Sequence, residues 1–244
     1  MIGMNNTEHI SIETSPILEL QNIEKHYDEP GGENMIPVLR DISLTVFRGE
    51  SVAITGPSGS GKTTLLDIMG ALDQPSKGDV LLSGKNLHGL SDRELSMIRN
   101  LEVGFVFQLH HLLPQCTVLE NVLVPTIPKY NESKSQNSVG RAIELLEMVG
   151  LESHVYHRPG QLSGGERQRA AVVRALINQP KILLADEPTG SLDQDSALSL
   201  ANLLTELNDK QAMTIVMVTH APSIAAFMKR QFKLEHGGLI QKTD

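Results

Sequence analysis

Apolar residues recur along this chain in two rhythms: short strand-length runs, and longer stretches spaced by three and four as on one face of a helix. Residues 17–23 and 39–47 are strand-like, and Asp28, Glu29, Pro30, Gly31 and Gly32 between them mark a turn or loop. Residues 51–55 form a buried-strand pattern ending at Gly56, residues 62–71 read as a helix, and residues 79–82 return as a strand. Ser91 with Glu94 is a capping box for a helix to about Asn100, and Thr117 with Glu120 repeats that signature after Pro114. Residues 104–108 are a strand, whereas Val139, Ala142, Ile143, Leu146 and Val149 keep helical spacing up to Gly150, placed as a C-cap. Ser163 caps a helix over about 165–178; a strand at 181–185, a helix at 194–208, a strand at 213–219 and a helix at 221–229 follow. Residues 232–234 and 239–241 then form a hairpin turned by His236, Gly237 and Gly238.

Strands alternating with helices predict an α/β fold with a mainly parallel core sheet. Residues of about 91–160 read as a helical insertion interrupted by the strand at 104–108, and residues 1–16 as a flexible tail ahead of one domain over 17–244. The tail has no basic segment followed by an apolar one, so it predicts no secretory signal.

Composition narrows the partners. The 244 residues are 40% hydrophobic and 20% charged, as in an ordinary globular protein with one sizeable core. A formal net charge of -8 argues against a nucleic-acid backbone as partner and against electrostatic docking on anionic lipid. No apolar run approaches the roughly 18 residues of a membrane-spanning helix, so any membrane association is expected to pass through another protein. Cys116, the single cysteine, excludes an intrachain disulfide and fits a reducing, cytoplasmic setting.

The chemistry begins at Gly56, Pro57, Ser58, Gly59, Ser60, Gly61, Lys62 and Thr63, which match G-x-x-x-x-G-K-[ST] between a strand and a helix. Glycines let backbone N–H groups turn inward around phosphate oxygens, and the helix adds the positive end of its dipole. Lys62 is suited to the β- and γ-phosphates and the Thr63 hydroxyl to Mg2+, with Thr64 beside them among the nucleotide-binding residues. The apolar run at 181–185 ends in Asp186 and Glu187, at the carboxyl end of a buried strand where open α/β sheets bind ligands. Asp186 is suited to hold Mg2+ through water, and Glu187 to take a proton from an attacking water. The plainer alternatives are a glycine-rich turn for the first motif and an acidic helix cap for the second.

The ordered set Tyr27, GPSGSGKT, Gln108, LSGGERQR, ILLADE, Ser191-Leu192-Asp193 and His220 resembles the ATP-binding-cassette (ABC) ATPases, over nearly all of the chain from about Ile17. The resemblance implies a P-loop cassette: a mainly parallel core sheet, an antiparallel β subdomain and an inserted helical subdomain. It implies that Tyr27 stacks on adenine, that Gln108 touches Mg2+ or the lytic water, and that His220 bonds the γ-phosphate and orients Glu187. Ser163, Gly164 and Gly165 are then expected to bind the γ-phosphate held by the phosphate loop of another copy, with Asp193 also at that interface. ATP, Mg2+ and a homodimer around two ATP follow.

Residues 108–114, the run 117–122 and residues 157–161 are similar to the group containing the lipoprotein-releasing, macrolide-exporter and cell-division ATPases. That group implies integral-membrane permease subunits as partners, with docking in a groove beside Gln108 where Leu109, Leu112, Leu113, Leu119 and Val122 are the apolar candidates. Ala221 stands where an acid is common, Ser191 where asparagine or alanine is common, and Pro125 and Pro128 interrupt the helical insertion. Two other readings stay open: a cassette acting on ribosomes or nucleic acid without a permease, and a module that holds ATP without turning it over.

Overall fold

A strand that is apolar on both faces must be covered on both, and this requirement organises the chain. The computed structural model describes residues 15–28, 35–128 and 137–242; the expected tail up to residue 14 and most of the turn after Asp28 lie outside the described residues. The strands are β1 (Pro16–Asp28), β2 (Met35–Phe47), β3 (Ser51–Thr55), β4 (Lys77–Leu82), β5 (Lys85–Asn86), β6 (Val103–Val106), β7 (Ile182–Asp186), β8 (Thr214–Thr219), β9 (Arg230–Glu235) and β10 (Gly238–Gln241). The helices are α1 (Lys62–Met69), α2 (Asp92–Glu102), α3 (Val118–Leu123), α4 (Ser138–Met148), α5 (Gly164–Leu176), α6 (Gln194–Gln211) and α7 (Pro222–Ala225).

Two sheets result. A six-stranded sheet has the order β10-β9-β3-β8-β7-β6, parallel throughout except for β10, and a four-stranded antiparallel sheet has the order β2-β1-β4-β5. Alternation within the parallel strands divides the core. Ala53, Leu183, Ala185, Ile215 and Met217 face the side covered by α3 to α6, whereas Val52, Ile54, Ile182, Leu184, Val216 and Val218 face α1 and the antiparallel sheet. Leu95 and Ile98 of α2 join that second core, and β6 pairs with β7 inside the parallel sheet. The chain therefore passes through the main sheet between α2 and the helices α3 and α4.

Local signals explain most boundaries. Ser91, Thr117 and Ser163 each accept from the N–H of a glutamate three residues on, and each glutamate accepts in return from the cap's own N–H. Fully buried Asn121 pins the segment before α3, accepting from the Leu113 N–H and donating to the carbonyls of Leu113, Cys116 and Thr117. Strands β1 and β2 run past the expected bounds because their pairing continues to Tyr27 opposite Ile36 and Asp28 opposite Met35. The helix expected over 221–229 is only four residues long, since the chain must turn to enter β9 at Arg230. Among the described residues no helix is long and apolar enough to cross a membrane.

Close approach shapes the junction of α1 and β6. A Cβ on Gly70 would lie 2.1 Å from the Phe105 ring, and one on Gly104 2.7 Å from the Ala175 carbonyl, so both backbones touch their neighbours directly. Gly70→Ala is therefore expected to destabilise the fold by about 1–3 kcal/mol through overpacking. The denaturant midpoint measures this; an unchanged midpoint would contradict the packing of α1 on β6.

Candidate active site

Four adjacent parallel strands, β3, β8, β7 and β6, deliver the chemistry-bearing residues from their carboxyl ends. Neighbouring strands lie about 4.8 Å apart, so the phosphate loop, His220, Asp186 with Glu187, and Gln108 are set out in a row. An open pocket of about 550 Å³ is lined by Lys62, Thr63, Thr64, Gln108, Glu187 and His220, together with Ser58, Gly59, Gly61 and Val38.

The phosphate loop needs its glycines. Gly59 and Gly61 have φ of +76° and +97°, and a Cβ on Gly56 would lie 2.3 Å from the Leu234 carbonyl of the neighbouring strand. The Lys62 ammonium donates to the carbonyls of Gly56 (3.1 Å) and Pro57 (2.9 Å), which holds it over the loop. Ser60 Oγ is buried with no hydrogen-bond partner among the described residues. A cation aimed across a loop with an orphaned polar atom, at the start of a helix, fits an oxygen-rich anion.

The Thr63 hydroxyl donates towards both Asp186 oxygens, at 3.1 and 3.3 Å. Burial pushes the Asp186 carboxyl above its ordinary range, with Glu187 adding to the shift and the Thr63 hydroxyl and Lys62 opposing it. A hydroxyl and a desolvated carboxylate side by side form an oxygen donor set that suits a hard divalent cation.

Glu187 is mostly buried, with its side chain 14% exposed, and its carboxylate accepts from the His220 N–H at 3.1 Å and lies 2.9 Å from His220 Nδ1. Its backbone is left-handed, with φ +43°, fixed by donation to the Val218 carbonyl and by acceptance from the Gly190 N–H. Such a conformation costs a non-glycine residue about 1–3 kcal/mol and persists only where its surroundings impose it.

Gln108 is held from several sides. Ser191 Oγ donates to its carbonyl at 3.1 Å, and a Cβ on Gly190 would come within 2.8 Å of its Nε2. The carbonyl of Phe107 accepts from Gln168 at 2.7 Å, and Arg174 donates to the carbonyls of His110 and His111, each at 2.7 Å. Gln168 and Arg174 both lie on α5. Sequence reading assigned neither a role; the available signal was that Gln168 falls, at helical spacing, on the face shared by Gly165, Ala171 and Val172, where an apolar residue is the rule.

The remaining predicted residues lie elsewhere. Ser163, Gly164 and Gly165 open α5, where the Ser163 hydroxyl accepts from the Glu166 N–H at 3.3 Å, and none of them lines the pocket. Asp193 caps α6 by accepting from the Ser196 N–H and hydroxyl at 2.9 and 2.8 Å, and a Cβ on Gly165 would meet that hydroxyl at 3.0 Å. The signature and Asp193 thus share one surface, separate from the phosphate loop of their own chain. Tyr27, next to last in β1, also lies outside the pocket lining. Of the apolar groove candidates, Leu112 and Val122 are core residues and Leu119 packs against that core, while Leu109 and Leu113 are exposed.

Known proteins are similar to this chain in sequence and in fold. The ABC transporter family model matches residues 39–190. The lipoprotein-releasing system ATP-binding protein LolD of Bordetella pertussis is 48% identical over 227 residues, covering 93% of this chain and 96% of its own length. LolD of Shewanella oneidensis is 47% identical over 223 residues, covering 91% and 95%. Among solved structures, the ATP-binding cassette MJ0796, a dimer in a post-hydrolysis state bound to ADP and Pi, superposes with a TM-score of 0.82 at 41% identity, covering 93% of this chain and 98% of that one. With the phosphate loop, the strand-end acids and the signature helix arranged on this sheet, the chain belongs to the ABC transporter family as an ATP-binding, ATP-hydrolysing cassette.

Proposed function

We propose that this cassette is the motor subunit of a lipoprotein-releasing system: it dimerises around two ATP and drives separate integral-membrane permease subunits from the cytoplasmic face of the inner membrane. The observation that carries the reading is 48% identity to LolD along 93% of the chain. The separation of Ser163 from the pocket supports the dimer, because a second copy can bring its own signature to the phosphate that this chain's loop holds. A net charge of -8 disfavours the ribosome or nucleic-acid alternative.

In this reading the phosphate loop from Gly56 to Thr63 binds the β- and γ-phosphates through backbone amides and Lys62, and Tyr27 stacks on adenine. Mg2+, held by the Thr63 hydroxyl with Gln108 and Asp186, supplies positive charge against the phosphates when bound. Glu187 accepts the proton of the attacking water, and His220, 2.9 Å from its carboxylate, orients that base and bonds the γ-phosphate. Ser163, Gly164 and Gly165 of the second copy, with its Asp193 alongside, close the far side. Each helix-terminus contact contributes about 0.3–2 kcal/mol, so the joint depends on ATP and loosens once the γ-phosphate is cleaved.

The permease is proposed to dock in a groove of about 440 Å³ between the sheet edge and the helical insertion, lined by Leu72, Phe105, Phe107, Pro125 and Arg174, with exposed Leu109 and Leu113 following Phe107 along the chain. Arg174 lines this groove and donates to the carbonyls of His110 and His111 in the segment that follows Gln108, which gives a partner in the groove a direct contact with that segment.

Glu187→Gln is expected to keep ATP affinity and hold a stable dimer while turnover falls by about 10^2–10^4; phosphate release near the parental rate would remove Glu187 from its role. Lys62→Ala is expected to weaken nucleotide binding itself, and unchanged affinity by calorimetry would count against the loop as the triphosphate site. Co-purification from membranes with a permease tests the partner, whereas recovery only with ribosomes would support the alternative.

A further inference from the structure

Tyr27 is anchored more firmly than a strand-end tyrosine needs to be. Its hydroxyl donates to Asp73 Oδ2 at 2.8 Å. The other oxygen, Oδ1, accepts from Lys25 Nζ and from the Gln74 N–H, both at 2.7 Å, and Lys25 also donates to the Gln74 carbonyl at 2.7 Å. Lys25 and Tyr27 are two residues apart on β1 and share a face. The ammonium of buried Lys25 lies 4.8 Å from the centroid of the ring, so one face is covered by a cation while Tyr27 as a residue stays 44% exposed. Asp73 is in turn tied to the helix that follows the phosphate loop, because its N–H and that of Leu72 both donate to the Asp67 carbonyl, at 3.2 and 2.8 Å.

We infer that Asp73, supported by Lys25, is a positioning residue for nucleotide binding: it fixes the Tyr27 ring at a set offset from the phosphate loop and presents its uncovered face to a purine. The inference rests on the reading of Tyr27 as the adenine platform and adds what holds that platform in register. The chain of contacts runs from ring to Asp73 to Asp67 to α1, whose first residue is Lys62, so base site and phosphate site are parts of one rigid piece. A ring fixed before the ligand arrives loses no rotamer freedom on binding, and that preorganisation appears as affinity for the base without affecting the phosphates. The carboxylate is well prepared for this work: burial pushes Asp73 up, but bonds from Lys25, Tyr27 and the Gln74 amide outweigh burial and hold it below its ordinary range.

The test measures calorimetric affinity for ATP and for inorganic tripolyphosphate, both with Mg2+, across variants of the full chain. Asp73→Ala and Tyr27→Phe are each expected to weaken ATP about three- to tenfold, the scale of a stacking contact, and to leave tripolyphosphate affinity unchanged. The double variant is expected to be no weaker than either single one, since both changes break the same bond. Asp73→Asn, which keeps a carbonyl acceptor for the phenol, is expected to fall between, and it serves if Asp73→Ala does not fold. Equal loss for ATP and tripolyphosphate would overturn the inference in favour of general loosening of α1, and additive losses in the double variant would overturn it as well. Tyr27→Ala separates the two levels. Parental ATP affinity in that variant removes the platform reading itself, whereas weak binding there with parental affinity in Asp73→Ala and Tyr27→Phe removes only the anchor.

Discussion

Burial of the parallel strands on both faces is the constraint from which the rest of the molecule follows. Strands β3, β7 and β8 have no face left for polar chemistry: β3 and β8 are buried at every position, and β7 emerges only at Asp186. Functional groups can then appear only where strands end. Because the four strands are neighbours running the same way, those ends share one edge, and the phosphate loop, His220, the two acids and Gln108 meet there without any long-range design of loops.

The signature helix is tied to that edge at defined points. From α5, Gln168 holds the Phe107 carbonyl and Arg174 holds the carbonyls of His110 and His111, so the signature helix and the segment around Gln108 form one unit. Desolvation lowers the Arg174 pKa below that of a free guanidinium, and among the described residues its bonded partners are the carbonyls of His110 and His111, whose hydrogen bonds compensate for burial. Gln168 and Arg174 thus hold the backbone on either side of Gln108 against the helix whose N-terminus carries Ser163.

Much of this was legible in the chain itself, for identifiable reasons. Buried strands and helices with capping boxes leave period and cap signals in the sequence, and Ser91, Thr117 and Ser163 start helices where their glutamates predict. The family resemblance rested on motifs whose chemistry needs fixed residue types, and the family match bears it out. What stayed hidden depends on tertiary contact. Leu112 and Val122 have the same apolar character as Leu109 and Leu113, and only packing decides which are core and which face solvent. Asp73 and Lys25 lie 48 residues apart, so no local pattern announces their bond. The continuation of β1 to Asp28 is equally invisible, because its last residues are polar and are held by pairing with β2 rather than by burial.

The backbone at Glu187 shows why two consecutive acids can serve one site. In an extended strand successive side chains point to opposite faces, so an acid directly after Asp186 would be sent away from the partner of Thr63. The turn to φ +43° at Glu187 breaks that alternation and brings its carboxylate to the pocket, against His220, while Asp186 keeps its contact with Thr63. Glycine would adopt the turn without strain but would remove the acid. The strain is therefore a consequence of requiring two carboxylates on one side of a strand end, and the bonds to Val218 and Gly190 are what impose it. With its backbone held at both ends and its carboxylate fixed by His220, Glu187 is set in place ahead of any ligand, which is the preorganisation that its proposed role as base requires.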